Sequence, residues 1–305
     1  MQGIARAGIE RIRNSLAYRL ASPCRVILAN WSPAHLSAKP AFPITYLAFS
    51  GVAQIEMLRE SIASLALAWD RLPALRIVGD GTLVPEAVRD TLKFWPADIE
   101  VLDWRRLVAP VQARGYGKLI AFAERVPMAR KLVAVVASAL ERPTMYADTD
   151  VLWFRFPQVL RMEDALSRKP RIAMSPDYKA SYDDSFVPSV LPHLARPPYL
   201  CAGILFANGD FLSMCRMDDL LEHAAVRGIE RTEQTIFAEA DHQLGGEVFS
   251  AAEFALFDDD RFSLGPSFVR RPWVARHYVG QVRHLFWRDA LALRAGFGRV
   301  QNSTP

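Results

Sequence analysis

The chain has 305 residues, of which 51% are hydrophobic and 23% are charged, a composition typical of globular proteins and unlike that of disordered, collagen-like or coiled-coil chains. Its 37 basic and 33 acidic residues leave a net charge of only +4, which argues against a nucleic-acid partner. The three cysteines lack the spacing of a disulfide framework or a zinc site, and no apolar run is long enough to span a membrane. We therefore expect a cytoplasmic protein.

The first 20 residues differ from the rest of the chain. Isoleucines and leucines recur there at helical spacing, and four arginines accompany a single acidic residue, Glu10. Such a basic amphipathic helix can lie on an anionic membrane surface. It can equally pack on the main domain with its arginines in water, so both alternatives stay open. Prolines within residues 30–43 predict a linker, and we assign residues 1–40 to this N-terminal segment.

Strand-like and helix-like runs alternate between residues 41 and 150. Short apolar strands are predicted at residues 44–50, 75–78, 99–102 and 144–147. Helices are predicted at residues 55–69, from Pro85 onward and at residues 118–140, the last one broken at Pro127. This alternation is typical of an α/β fold with a doubly wound, mostly parallel sheet.

Polar residues follow several of these predicted strands. Ser50, Asp80 and the pair Asp148 and Asp150 all stand at carboxyl ends, where sheets of this kind bind ligands. We therefore expect these residues to converge on one crevice. Two carboxylates that flank a single residue suit Mg²⁺ or Mn²⁺, which can bridge a diphosphate.

Other interpretations of aspartate pairs fit less well. A second pair, Asp258 and Asp260, has no apolar strand before it, and we interpret it as a solvated turn. Similarity to a haloacid-dehalogenase-type phosphatase would require Thr or Val four positions after Asp148, where Leu152 stands. Similarity to a sugar-phosphate nucleotidyltransferase would require a glycine-rich loop with an arginine, which residues 50–53 do not supply.

Three segments of the second half complete the pattern: an apolar strand at 199–208, a helix start at 231–237 and a polar stretch at 277–283. We expect Thr232 to cap the helix. Together with the aspartate pair, and in this order, the segments resemble the GT-A-fold nucleotide-sugar glycosyltransferases, most closely the retaining family-8 type. That family has Asp-x-Asp after the fourth strand, an Asn-Ala-Gly strand, an Asp-Gln helix start and a late His-x-x-Gly-x-x-Lys. The resemblance spans residues 44–287.

The resemblance implies a metal-dependent enzyme that moves a sugar from a nucleotide-diphosphate donor, such as a UDP-sugar, to a hydroxyl group with retention. The acceptor would be a saccharide, a lipid-linked or a protein acceptor. Residues 41–150 would be the nucleotide-sugar-binding half, and residues 151–305 the acceptor half of the same domain. The stretch at residues 177–198, with four prolines, we interpret as a long irregular segment that is either an acceptor loop or a simple connection. The implied roles are Mn²⁺ or Mg²⁺ ligands (Asp148, Asp150, His277), donor contacts (Gly280, Arg283) and catalytic groups (Gln234, Glu233, Arg283). The strand-end positions of Ser50 and Asp80 add these two residues as expected donor contacts.

The sequence departs from the family pattern in several places: Glu233 stands where the family has Asp, and the family's Lys-Pro-Trp ending is lost. Cys201 replaces the first Asn of the family's strand, and Arg283 replaces a Lys while keeping its charge. An inverting reaction would instead need a carboxylate base, for which Asp177 and Glu233 are the candidates. A further alternative is a non-catalytic GT-A-like domain that binds a saccharide or a partner at a membrane surface through residues 1–20.

Overall fold

The structure, a computed structural model, describes residues 2–32, 39–161, 169–257, 259–261 and 263–297, with the side chains of the first helix from residue 16 onward. Its helices are α1 (Gln2–Asn30), α2 (Ile55–Ala68), α3 (Pro85–Thr91), α4 (Val108–Gln112), α5 (Gly117–Arg125), α6 (Ala129–Glu141), α7 (Val187–Val190), α8 (Asp218–Arg227), α9 (Glu230–Gln243) and α10 (Leu285–Arg294). Its strands are β1 (Ala41–Ser50), β2 (Leu72–Gly79), β3 (Ile99–Asp103), β4 (Thr144–Ala147), β5 (Val151–Trp153), β6 (Arg171–Asp177), β7 (Tyr199–Asn208), β8 (Glu247–Val248), β9 (Phe254–Ala255) and β10 (Ala275–His277).

Most of the strands form one mixed sheet. From one edge to the other, its order is β3, β2, β1, β4, β7, β6 and β8. The first four of these run parallel, whereas β7 lies antiparallel to both β4 and β6. The strands predicted between residues 41 and 150 are all present, and the predicted α/β, mostly parallel fold is confirmed.

Apolar side chains fill both faces of this sheet. In β1, Tyr46 and Ala48 pack with α2, while Leu47 and Phe49 pack on the opposite face with α6. Successive side chains of a strand point to opposite faces, so a strand buried on both sides is a continuous apolar run. Polar groups are therefore concentrated at the strand ends, where the candidate site lies.

A second, smaller sheet joins distant parts of the chain. Its order is β5, β10, β9, with β5 and β10 antiparallel. In this pair His277 lies opposite Val151, the residue that follows the aspartate pair. The division of the domain at residue 150 stays a prediction.

α1 is longer than the sequence pattern indicated. The helix continues through Pro23 to Asn30, and β1 begins at Ala41, so the linker predicted over residues 30–43 is wrong at both ends. Residues 33–38 lie outside the described part of the chain. Among the described helices, none combines the length and the apolar character needed to cross a membrane.

The second half of α1 packs on the main domain. Ala17 and Leu28 are buried in one cluster with Ala290 and Leu293 of α10. The Arg59 guanidinium also donates a hydrogen bond to the Leu28 carbonyl at 2.8 Å. The alternative of a helix packed on the main domain therefore holds from residue 16 onward, and membrane contact through residues 1–20 stays a prediction.

Of two predicted helix ends, the structure confirms one and contradicts the other. The predicted break at Pro127 is confirmed, because α5 ends at Arg125 and α6 begins at Ala129. The prediction that Thr232 caps a helix is wrong, because α9 begins two residues earlier. Thr232 instead lies in the first turn, where its hydroxyl accepts a hydrogen bond from the Ile229 N–H at 2.8 Å.

Two stretches that we interpreted as irregular are structured. Residues 177–198 contain α7 and a 3₁₀ turn at Pro192–Ala195. Asp258 lies outside the described residues, but Asp260 is not a solvated turn residue. It forms a two-pronged ion pair with the fully buried guanidinium of Arg276, with N···O distances of 2.5 and 2.6 Å.

Candidate metal centre and active-site cavity

Backbone hydrogen bonds hold the aspartate pair between two strands. Asp148 follows β4, and its N–H donates to the Gly203 carbonyl of β7 at 2.8 Å. The Asp150 carbonyl accepts a hydrogen bond of 2.8 Å from the N–H of Tyr278, directly after β10. These bonds fix the backbone on both sides of the turn, and the pairing of β5 with β10 carries His277 to the same place.

Three potential metal ligands meet there. His277 Nε2 lies 3.1 Å from Asp150 Oδ1 and 3.5 Å from Asp148 Oδ2, and ligand atoms of all three residues lie within 4.8 Å of one another. Two ligands at right angles around an ion with bonds of about 2.1 Å are about 3.0 Å apart, so the spacing fits a divalent cation. One imidazole nitrogen with carboxylate oxygens is a donor set that first-row transition metals accept. The site is therefore a possible metal-binding triad.

Close packing fixes the His277 ring. The ring is buried, and its second nitrogen, Nδ1, lies 3.4 Å from the Cys201 Sγ of β7. A β-carbon added to Gly203 would lie 2.2 Å from the ring's Cε1 and Nδ1 atoms. Burial lowers the pKa of His277, but the neighbouring Asp150 and Cys201 outweigh it and raise the pKa well above its usual value.

Arg283 occupies the outer side of the triad. Its Nη2 lies 2.7 Å and its Nε 3.1 Å from the same oxygen of Asp150, Oδ2. Burial raises the pKa of Asp150, but His277 and Arg283 together bring it below its usual value. The Asp150 side chain is only 5% exposed whereas that of Arg283 is 60% exposed, so the guanidinium can turn toward a ligand while the carboxylate stays in place.

A buried cation near the triad, Lys131, was missed by the sequence analysis. Lys131 of α6 lies 2.9 Å from Glu233 Oε1 and 3.8 Å from Asp148 Oδ1. Tyr146 of β4 also donates a hydrogen bond to Asp148. Burial raises the pKa of Glu233 to about 7, against the opposing effect of Lys131.

Two sequence signals could have found these residues. Lys131 is a charged residue directly before the long apolar run of α6, at residues 132–140, and a lysine buried in such a helix needs an acidic partner. Tyr146 precedes Asp148 by two positions, and residues i and i+2 of a strand lie on one face.

The triad lies in a cavity of about 600 Å³ at the carboxyl ends of the parallel strands. The walls include Asp80 and Gln234, two of the residues predicted to contact donor or sugar. Gly280 also lines it, with a φ of +58° that disfavours any residue with a side chain. A cavity of this size can hold most of a small ligand.

The remaining predicted residues are placed in different ways. The Gln234 amide bridges two backbone groups of β7, donating to the Leu200 carbonyl at 3.0 Å and accepting from the Ala202 N–H at 3.4 Å. Ser50 is buried, its hydroxyl donates to the Gly51 carbonyl, and it is not among the described residues that line the cavity. The role of each residue stays a prediction.

Comparison with known proteins gives a likeness in fold. No protein-family model matches the sequence, and no curated protein matches it. The galactosyltransferase LgtC, solved with donor and acceptor sugar analogs, matches over 85% of this chain and 98% of its own, with a TM-score of 0.52 and 13% identity. The glycosyltransferase GlyE of Streptococcus pneumoniae TIGR4, in its apo form, matches over 84% of this chain and 62% of its own, with a TM-score of 0.50 and 12% identity. The chain therefore has the GT-A fold that its sequence motifs predicted.

The contact between Gly203 and His277 can be tested by adding one methyl group. Gly203→Ala is expected to push the imidazole away from the carboxylates, and to weaken Mn²⁺ affinity by at least about 10-fold. Isothermal titration calorimetry would measure that affinity. Gly265→Ala is the matched control, because no atom of the described residues lies within 4 Å of the added β-carbon. Equal Mn²⁺ affinity of the folded Gly203→Ala variant and the wild type would contradict the prediction.

Proposed function

We propose that this protein is a metal-dependent glycosyltransferase that moves a sugar from a nucleotide-diphosphate donor, a UDP-sugar, to a hydroxyl acceptor. The observation that carries the proposal is the juxtaposition of Asp148, Asp150 and His277 inside a cavity at the carboxyl ends of the parallel strands. Ligands of such sheets bind at this edge, and the GT-A fold of the chain is shared with glycosyltransferases. The acceptor would be a saccharide or a lipid-linked or protein-linked hydroxyl.

The proposed metal is Mn²⁺, held by Asp148, Asp150 and the Nε2 atom of His277. An imidazole ligand favours Mn²⁺ over the harder Mg²⁺. When bound, the ion would neutralise charge on the diphosphate as it leaves the sugar.

Two residues beside the triad are suited to the diphosphate. The Arg283 guanidinium has five N–H donors, of which two donate to Asp150. It can therefore also donate to a phosphate oxygen as charge develops there. Gly280 leaves its backbone open to close approach, because within the described part of the chain no heavy atom lies within 4 Å of where a β-carbon would stand. Both line the same cavity as the triad.

We further propose that the reaction retains the configuration of the sugar. Glu233, one of the two carboxylates that could serve as a base for inversion, is 2.9 Å from the buried ammonium of Lys131. Asp177, the other, accepts a hydrogen bond from the Lys179 N–H at 3.3 Å and lines the cavity. The proposal of retention therefore rests on the resemblance to the family-8 type, in which Gln234 and Glu233 would lie beside the reacting carbon.

A metal-ligand substitution tests the proposed function. Asp150→Asn keeps the shape of the side chain but removes the charge, so we expect the variant to fold and to lose Mn²⁺-dependent UDP binding by at least about 10-fold. Calorimetry with UDP, with and without Mn²⁺, measures this, and a screen of nucleotide sugars identifies the donor by Mn²⁺-dependent hydrolysis. Asp259→Asn is the control, since Asp259 pairs with Arg271 away from the cavity lining.

The outcomes separate the enzyme from the non-catalytic alternative. Unchanged UDP affinity of Asp150→Asn in the presence of Mn²⁺ would contradict the metal assignment. Nucleotide binding without turnover of any donor would favour a saccharide- or partner-binding protein. An inverted anomer in the product, identified by NMR, would contradict retention.

Two further substitutions are expected to act on different properties. His277→Ala removes the nitrogen ligand and should shift the metal preference from Mn²⁺ toward Mg²⁺. Arg283→Ala should leave that preference unchanged but lower kcat by about 10- to 100-fold, because its charge is needed most as the phosphate leaves. Turnover measured across both metals separates the two effects, and the exposed Arg271→Ala is the matched control. A shift in metal preference in Arg283→Ala, or none in His277→Ala, would contradict this assignment.

We also propose that α1 contacts the inner, anionic face of a membrane. Residues 1–31 hold five arginines and one glutamate, a net charge of +4 that equals the net charge of the whole chain. The remaining residues are therefore neutral in sum, and the positive charge of the protein is concentrated in one segment. In the same helix Leu16, Leu20 and Ile27 are 43%, 38% and 49% exposed. Cations beside exposed apolar side chains are typical of interfacial helices.

Removal of the first 14 residues tests the membrane contact without disturbing the buried part of α1. A chain that begins at residue 15 keeps Ala17 and Leu28 in their cluster, so it should fold and bind nucleotide. We expect its sedimentation with vesicles containing phosphatidylserine to fall, because three of the five arginines of residues 1–31 are removed, and that of the full chain to be lost at high salt. Equal binding of both chains to these vesicles, or binding of neither, would contradict the proposal.

A further inference from the structure

Cys201 makes a contact that the proposed reaction does not use. Its Sγ atom lies 3.4 Å from His277 Nδ1, on the side of the ring opposite the carboxylates. The thiol is buried, and its sulfur is not part of the described cluster of candidate metal ligands. The contact therefore reaches the proposed metal site only through the histidine.

A second hydrogen bond identifies the sulfur as an acceptor. The backbone N–H of Gly203 donates to the same Sγ at 3.4 Å. A backbone N–H can only donate, so a lone pair of the sulfur is directed toward this side of β7. The His277 ring contacts both positions of β7: Nδ1 lies 3.4 Å from the Cys201 Sγ, and the ring takes the space that a side chain at Gly203 would fill.

We propose that Cys201 is a positioning residue for His277. Its sulfur accepts the Nδ1–H hydrogen bond, so Nε2, which lies 3.1 Å from Asp150 and 3.5 Å from Asp148, is the nitrogen left to face the proposed metal between the two carboxylates. The inference rests on the proposed function, since it concerns the ligand that the proposed metal would use. Histidine ligands generally donate their other N–H to an acceptor, and here that acceptor is a thiol.

Because the acceptor is a sulfur atom, we expect only a modest loss of Mn²⁺ affinity when it is removed. Removal of the group that accepts the second N–H of a metal-bound histidine commonly weakens metal affinity by roughly 10- to 100-fold. A thiol is a weak acceptor, so we expect Cys201→Ala to weaken Mn²⁺ affinity by about 10-fold, at the lower end of that range. Cys201→Ser should stay within about 3-fold of the wild type, because a hydroxyl accepts the same bond.

A double-mutant cycle distinguishes positioning from general loosening of the site. Mn²⁺ affinity is measured by electron paramagnetic resonance titration for wild type, Cys201→Ala, His277→Ala and the double variant. If Cys201 acts through His277, Cys201→Ala has no further effect once His277 is absent. Cys215→Ala is the matched control, because Cys215 is half-buried and its thiol donates a hydrogen bond to the Phe211 carbonyl.

Three results would overturn the inference. The first is a Cys201→Ala variant that binds Mn²⁺ as tightly as the wild type. The second is an equal loss of Mn²⁺ affinity on Cys201→Ala whether or not His277 is present. A third is a sulfur-to-Co²⁺ charge-transfer band in the Co²⁺-loaded wild type that disappears in Cys201→Ser, because the thiol would then be a ligand itself. Should Cys201→Ala fail to fold, Cys201→Val replaces it by filling the space without an acceptor. If the wild type binds no Mn²⁺, the proposed function fails first, and this inference fails with it.

Discussion

The candidate site depends on the backbone pairing of β5 with β10. In this pair His277 lies opposite Val151, so the imidazole arrives beside Asp150 although the two residues are far apart in sequence. An antiparallel register fixes which residues face each other, and a shift by one residue would turn every side chain to the opposite face. The triad therefore needs this register more than it needs any single side-chain contact. The hydrogen bond from the Tyr278 N–H to the Asp150 carbonyl extends the pairing to the turn itself.

Two cations balance the acidic groups of the site in different surroundings. Lys131 has a side chain only 5% exposed, and its ion pair with Glu233 lies in a medium of low dielectric constant, where separating the charges is costly. Arg283 is largely in water, where its attraction to Asp150 is screened. One cation is thus a fixed part of the framework, and the other is free to exchange partners. In the proposed reaction, the first would hold the framework of the site and the second could contact the departing phosphate.

The sequence analysis succeeded where the information is local. Apolar runs predicted the parallel strands, and their carboxyl ends predicted where Asp148 and Asp150 would lie. His277 carried no local signal and entered only through the family resemblance. Lys131 was missed because its meaning depends on which helix covers which face of the sheet. The end of α1 was misplaced because its buried face, with Leu28, is created by contact with α10 rather than by the helix's own pattern.

Gly203 and Gly280 are glycines for unrelated reasons. Gly280 has a positive φ, whereas Gly203 in β7 does not, and it lacks a side chain because the His277 ring takes its space. The constraint on position 203 is therefore imposed by position 277. A homologue that lost the histidine would no longer need glycine in the strand, and larger residues could accumulate there. In an alignment, replacement of both residues together would then identify the homologues that no longer use this ligand.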